Sequence, residues 1–286
     1  MGILSTFYII VITLGLATQN IVKKRYNNKV GKKGTYSFSA FSVLVSLLIF
    51  ILRCRFKFEY DIAVTPYVIV FTVSYCLALL FNYFALQCGS LSLTSLFLSY
   101  SLLIPTFYGV IFDGDDIKMS FYIGLCFLVV SLFFLNTHTD NEKITLKWVI
   151  FTLLSLVGNG LCSTIQTIQQ QVFEQKYQNE FMITSLVFVT IFLFVFVFVR
   201  EKDEFKFSVK IGAVDMMLCG IANATVNIFV MIVSGIVAKS LMFPLISAGC
   251  IVVTWLVSAT IYKEKMTKSQ NIAIILGIIS IIFLNI

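Results

Sequence analysis

Histidine is nearly missing from this 286-residue sequence: only His138 is present, in a connecting segment. That scarcity removes His-based metal centres and the Ser-His and Cys-His pairs of nucleophilic catalysis, and a solvated loop histidine accounts for His138. Cysteine offers no substitute. Cys54, Cys76, Cys88, Cys126, Cys162, Cys219 and Cys250 are scattered without a CxxC pair and read as small apolar residues. Charge is scarce too, at 12% of positions, and no acidic residue occurs before Glu59. The net charge of +7 sits in segments flanking apolar runs, with no interleaving of basic and aromatic residues. Its expected partner is the lipid headgroup layer and not nucleic acid. No metal, cofactor or catalytic residue is expected.

What the sequence has instead is apolar length. Hydrophobic residues make up 59% of the chain and mean hydropathy is +0.96, the composition of an integral membrane protein. A helix needs roughly 20 apolar residues to cross the hydrocarbon layer. Ten runs meet or approach that length: 3–22, 35–52, 66–88, 91–112, 121–137, 148–172, 181–199, 211–233, 237–261 and 270–286. They are too long and continuous for the two-residue alternation of a β-barrel, and backbone groups in lipid must be satisfied within each segment. The predicted fold is an all-α integral membrane protein of ten transmembrane helices. These spans consume most of the chain and leave no room for a nucleotide-binding, catalytic or sensing domain. The first run begins almost at Met1 without a basic leader or an A-x-A site, and it reads as a retained span.

The ten runs fall into two sets of five with matching landmarks. Phe134-Leu135-Asn136 closes the fifth run and Phe283-Leu284-Asn285 the tenth, 149 positions later, with Asp115 opposite Glu264 at the same offset. Asn82-Tyr83-Phe84 answers Asn227-Ile228-Phe229 in the third run of each half, and Gly89 answers Gly235. The chain is read as two five-helix repeats, 1–137 and 146–286. Five is odd, so the copies must be inverted relative to one another, an arrangement that places a transporter's site at the repeat interface.

Polar residues at helical spacing mark where a pathway could lie. Span six carries Asn159, Ser163, Gln166 and Gln170 at i, i+4, i+7 and i+11, leading on to Glu174. A lipid-facing stripe of amides would be costly. Two readings stay open: a pathway wall, or a helix interface joined by amide hydrogen bonds. Span one repeats the pattern with Thr13, Ala17, Asn20 and Lys24, and Gln19 beside them. In spans three and eight Asn82 and Asn227 fall mid-helix, with Tyr75 one heptad before Asn82 and Asn223 one turn before Asn227. Span four holds Tyr100 and a Ser/Thr cluster together with Pro105, whose missing N–H and ring should kink the helix. Pro66 and Pro244 lie near span starts, where proline is tolerated. Lys239, at the start of span nine, can meet a substrate anion or snorkel to headgroups. Asp215 is the one acid inside a membrane run, so facilitated diffusion or exchange is favoured over proton antiport, which Asp215 and Glu174 as coupling groups keep open.

Side assignment is contested. Odd-numbered connections carry fifteen Lys and Arg against six for the even ones, which puts both termini outside. Lys23, Lys24, Arg25, Lys29, Lys32 and Lys33 supply most of that excess and could instead line a vestibule or form an amphipathic extension of the first helix.

Glu264-Lys265-Met266-Thr267-Lys268-Ser269-Gln270 between spans nine and ten, Asp115-Asp116-Ile117-Lys118 followed by Gly124, and Asn82 through Ser90 leading to Pro105 resemble signatures of a known group. The sequence is similar, over essentially its whole length, to the ten-span EamA-type branch of the drug/metabolite transporter superfamily. That resemblance implies a central cavity lined by spans one to four and six to nine, peripheral fifth and tenth spans, and cytoplasmic termini. It says little about substrate. The small multidrug pumps of the same superfamily use a glutamate in their first span, which is missing here.

The expected function is a secondary transporter, not an enzyme. It would sit as a multi-pass monomer or homodimer in the inner (cytoplasmic) membrane and move a small polar, neutral or zwitterionic metabolite by alternating access. Asn20, Asn82, Gln166, Gln170, Asn223 and Asn227 are the expected amide contacts, Tyr75, Tyr83 and Tyr100 the aromatic walls, and Lys239 a candidate cation. The alternative within transport, a nucleotide-sugar or sugar-phosphate exchanger, requires Lys24 and Lys239 to face the cavity. A lipid flippase or membrane enzyme is the rival from another class.

Overall fold

A computed structural model describes residues 2–31, 33–55, 57–114, 119–135, 145–263 and 267–283. Its helices are α1 (Ile3–Val30), α2 (Thr35–Cys54), α3 (Thr65–Cys88), α4 (Leu91–Ser99), α5 (Leu103–Phe112), α6 (Met119–Leu135), α7 (Leu146–Val172), α8 (Gln178–Arg200), α9 (Phe205–Ser234), α10 (Lys239–Val257) and α11 (Lys268–Phe283). Eight helical segments are long and apolar enough to cross a membrane, with α4 and α5 counting as one, and these make the chain multi-pass by length and composition. Within α11 the shorter apolar stretch Asn271–Ser280 was also found. The repeat landmarks Asn136, Leu284, Asn285, Asp115 and Glu264, and His138, lie outside the described residues.

Two boundaries depart from the expected spans for physical reasons. Helix α1 continues past residue 22 to Val30 and ends at Gly31, whose φ of +73° favours glycine. Lys23, Lys24, Arg25 and Lys29 are therefore helix residues, and three have protein partners. Lys24 Nζ donates to Gly89 O at 3.0 Å, and Arg25 and Lys29 both reach the fully buried Asp215 of α9. In the fourth span the break precedes Pro105: a 3-10 turn over Tyr100–Leu102 separates α4 from α5. Pro105 cannot donate to Ser101 O and its ring crowds that carbonyl, so the turn before it tightens. Pro244 sits inside α10, not at its start, and α10 itself runs on into a π turn over Ser258–Tyr262.

Helix α1 packs along α9, α3 along α7, α2 against α8 and α9, α6 against α11, and α10 against α1, α4 and α5. Lipid tails are as apolar as leucine, so association rests on close approach and interhelical hydrogen bonds. Gly158 of α7 lets the α3 backbone come near, since a Cβ there would stand 2.6 Å from Ala78 N and 2.7 Å from Ser74 O. Gly15 of α1 does the same against Val226 of α9. Glu201 ties α2 to the α8–α9 connection, accepting from Tyr36 N at 3.1 Å, Ser37 N at 2.8 Å and Ser37 Oγ at 2.8 Å, so an acid caps the N-terminus of α2 from a distance in sequence. Outward-facing Phe188, Ile191, Val195 and Phe198 of α8 are exposed, an apolar surface of the kind lipid covers.

Candidate functional site

Between α1, α3, α4, α7, α9 and α10 lies a cavity of about 110 Å³. Each helix brings a short polar ladder to it at helical spacing: Gln19, Asn20 and Lys23 from α1; Tyr75 and Asn82 from α3; Ser95 and Ser99 from α4. Asn159, Ser163 and Gln166 come from α7, Asn223 and Asn227 from α9, and Ser247 from α10. Ile12, Leu16, Leu98, Val226, Phe243 and Ile246 supply apolar wall between them. Helices α2, α5, α6, α8 and α11 contribute no lining residue, so the second and seventh spans, expected among the walls, stand back from this cavity.

The amides line the cavity and bond across helices at the same time. Asn82 Nδ2 donates to Asn20 Oδ1 at 3.1 Å, and Asn20 Nδ2 to Ser95 Oγ at 3.4 Å. On the other side Gln166 Nε2 donates to Asn227 Oδ1 at 3.1 Å, and Asn227 Nδ2 to Asn223 Oδ1 at 3.1 Å. Asn223 Nδ2 then donates to Gln19 Oε1 at 3.2 Å, which links the network to α1. Asn159 Nδ2 donates to Ser101 Oγ at 2.8 Å, in the turn before Pro105. Asn82 Oδ1 and Tyr75 Oη are buried without a partner, leaving an acceptor and a hydroxyl available at the cavity wall.

Six of the ten expected contacts thus meet at one cavity: Asn20, Tyr75, Asn82, Gln166, Asn223 and Asn227. Four stand elsewhere. Tyr83 is fully buried in an aromatic cluster with Tyr26 and Phe38. Tyr100 bonds Ser131 Oγ at 2.9 Å, and Ser131 donates in turn to Ala273 O of α11. Gln170 turns to its neighbour Gln169. Lys239 Nζ donates to Asp113 Oδ2 at 2.6 Å and to Gln171 Oε1 at 2.8 Å, and lies 4.8 Å from the centre of the Tyr108 ring. It clasps α10 to the ends of α5 and α7 instead of reaching headgroups or a cavity anion.

Sequence reasoning named Lys23 only within a basic stretch that could line a vestibule, took Ser95 and Ser99 for part of a packing cluster, and missed Ser247. Lys23 had a signal: it stands four residues after Gln19 and three after Asn20, on the same face once α1 is allowed to continue. No carboxylate or histidine is among the lining residues, and no group of three or more potential metal ligands occurs among the described residues.

No protein-family model matches this sequence, and no curated protein matches it. Among solved structures, one described only as the crystal structure of a protein superposes with a TM-score of 0.66 at 11% identity, covering 95% of each chain. At that identity the likeness is one of fold alone.

Proposed function

We propose that this protein is a secondary transporter that binds a small polar solute in the amide cavity and moves it by alternating access. One observation carries the reading: the two amide pairs, Asn82 with Asn20 and Gln166 with Asn227, line one cavity from opposite halves of the chain. Each pair joins the third helix of a half to its first. The rest of the packing has the same character, since exchanging each helix for its counterpart in the other half turns α1–α9 into α7–α3 and leaves α2–α8 and α6–α11 unchanged. Ten spans in two inverted repeats, with α6 and α11 at the periphery, account for these contacts, although α2 and α8 give the cavity no side chain. This is the architecture implied by the resemblance to the EamA-type drug/metabolite transporters.

The site selects for size and charge. At about 110 Å³ the cavity has room for several waters, the scale of a small solute. Lys24 and Lys239, which an exchanger of phosphorylated sugars requires at the cavity, are committed to Gly89 O and Asp113. The lining holds neither a carboxylate nor a histidine, the commonest general acids and bases of enzymes. In this reading the protein resides in the cytoplasmic membrane with both termini inside. The basic residues of α1 that bond to protein groups are poor witnesses for the opposite orientation.

A thermal-shift screen of detergent-solubilised protein against amino acids, nucleobases, quaternary amines, nucleotide sugars and sugar phosphates tests the proposal, because a ligand of the folded state raises stability by RT ln(1 + [L]/Kd). Stabilisation by a neutral or zwitterionic solute is expected. Stabilisation by phosphorylated compounds alone would overturn it.

A further inference from the structure

Lys23 is the one cation in the cavity wall, and it is 6% exposed. It makes no hydrogen bond or ion pair among the described residues, whereas its described basic neighbours are all engaged: Lys24 with Gly89 O, Arg25 and Lys29 with Asp215, Lys33 with Glu204. Asp215, the buried acid on the facing helix, is therefore already occupied by two cations. A buried ammonium without a counter-ion is strongly disfavoured, and an anion entering beside it would relieve that cost.

Beside Lys23 the cavity has a small side branch of about 10 Å³ between α1, α2, α3 and α9. Three hydroxyl residues share it with Lys23: Ser39, Ser42 and Tyr75, 1%, 4% and 7% exposed. Ser39 Oγ has no hydrogen-bond partner, while the Ser42 hydroxyl faces the Cys219 thiol and the Tyr75 hydroxyl the Asn223 amide, neither in good hydrogen-bond geometry. One ammonium and three hydroxyls thus converge on a space that admits about one water-sized atom. Lys23 and Tyr75 also line the main chamber.

We propose that this branch is a carboxylate subsite: one oxygen of the solute's carboxylate enters it, bonded by Lys23 and the Ser39, Ser42 and Tyr75 hydroxyls, while the body of the solute lies against the amides. The inference rests on the transport reading above and narrows its substrate class to monocarboxylates and zwitterionic amino acids. A single cation neutralises one negative charge, and a branch this narrow does not admit a tetrahedral phosphate. The amide cavity on the far side, without a carboxylate, offers Asn82 Oδ1 as an acceptor for an amino group or other donor.

The test uses the full-length protein in detergent, with the standard amino acids and short-chain monocarboxylates each paired with its carboxamide, and with inorganic phosphate. Affinities are read by calorimetry on wild type, Lys23→Met and Ser42→Ala. At least one carboxylate should bind about tenfold or more tightly than its carboxamide to wild type. That preference should collapse in Lys23→Met while the carboxamide's own affinity is retained. Should Lys23→Met not fold, the wild-type ratio and its reduction in Ser42→Ala decide. Equal binding of carboxylate and carboxamide, or a preference untouched by Lys23→Met, overturns the subsite and leaves the transport reading in place. Tighter, Lys23-dependent binding of phosphate overturns the carboxylate assignment. Failure of every probe here and in the wider screen overturns the transport reading as well.

Discussion

Gln166 Nε2 donates to Asn227 Oδ1 at 3.1 Å, joining the first helix of the second half to its third at the cavity wall. The first half repeats the contact with Asn82 and Asn20 at the same distance. Each bond uses one amide group of each partner, so solute must be met by the groups left over and by rearrangement of the pair itself.

Replacing Asn227 or Asn82 by alanine should therefore affect both ligand and fold. The partner amide loses a bond within a buried wall, at a cost of about 1–3 kcal/mol in stability. Ligand-induced stabilisation should fall at least about tenfold in apparent affinity. Thermal unfolding with and without ligand checks both effects in one experiment.

Asp215 should behave as a strut. It is fully buried and holds Arg25 and Lys29, whose side chains are 44% and 43% exposed. Asp215→Asn should destabilise by about 3 kcal/mol, the low end for a broken buried pair because both cations reach water. Ligand affinity should stay within twofold of wild type, as Asp215 is not among the lining residues. A large loss of affinity would reinstate it as a coupling group.

Gly158→Ala should be costly although alanine is the better helix former. The added Cβ meets α3 backbone atoms, which cannot turn aside as a flexible side chain can. A loss of about 1–3 kcal/mol is expected. Gly2→Ala, with nothing within 4 Å of the added Cβ, should leave thermal stability unchanged.

The two tyrosines away from the cavity should separate. Tyr100→Phe removes the hydroxyl bonded to Ser131 and should cost about 1 kcal/mol. Tyr83→Phe removes a buried hydroxyl that faces Gln87 and Thr35 without good hydrogen-bond geometry and should cost less than Tyr100→Phe. Neither should move ligand affinity, and a shift with either would return that ring to the site.

Eight of the ten expected spans were legible because apolar runs of membrane length have few alternatives in lipid, and the cavity asparagines because an amide in such a run must face something polar. What sequence hid was partnership. Lys239 looked like a substrate cation because Asp113, its partner 126 positions away, looked like a loop acid. Tyr83 and Tyr100 looked like walls because a tyrosine in a packed cluster and one in a cavity share a sequence pattern. Lys23 was obscured by ending the first helix where hydropathy falls, although lysine and arginine continue a helix readily when α9 supplies a carboxylate.

Transport across a sealed membrane tests the account most directly. Purified protein reconstituted into proteoliposomes loaded with the solute that gives the largest thermal shift is diluted into medium containing the same solute in labelled form, and counterflow is followed. The account predicts labelled solute accumulating transiently inside, at a rate reduced at least about tenfold by Asn227→Ala. Binding in detergent without counterflow in tight vesicles, under either orientation of the gradient, would contradict it.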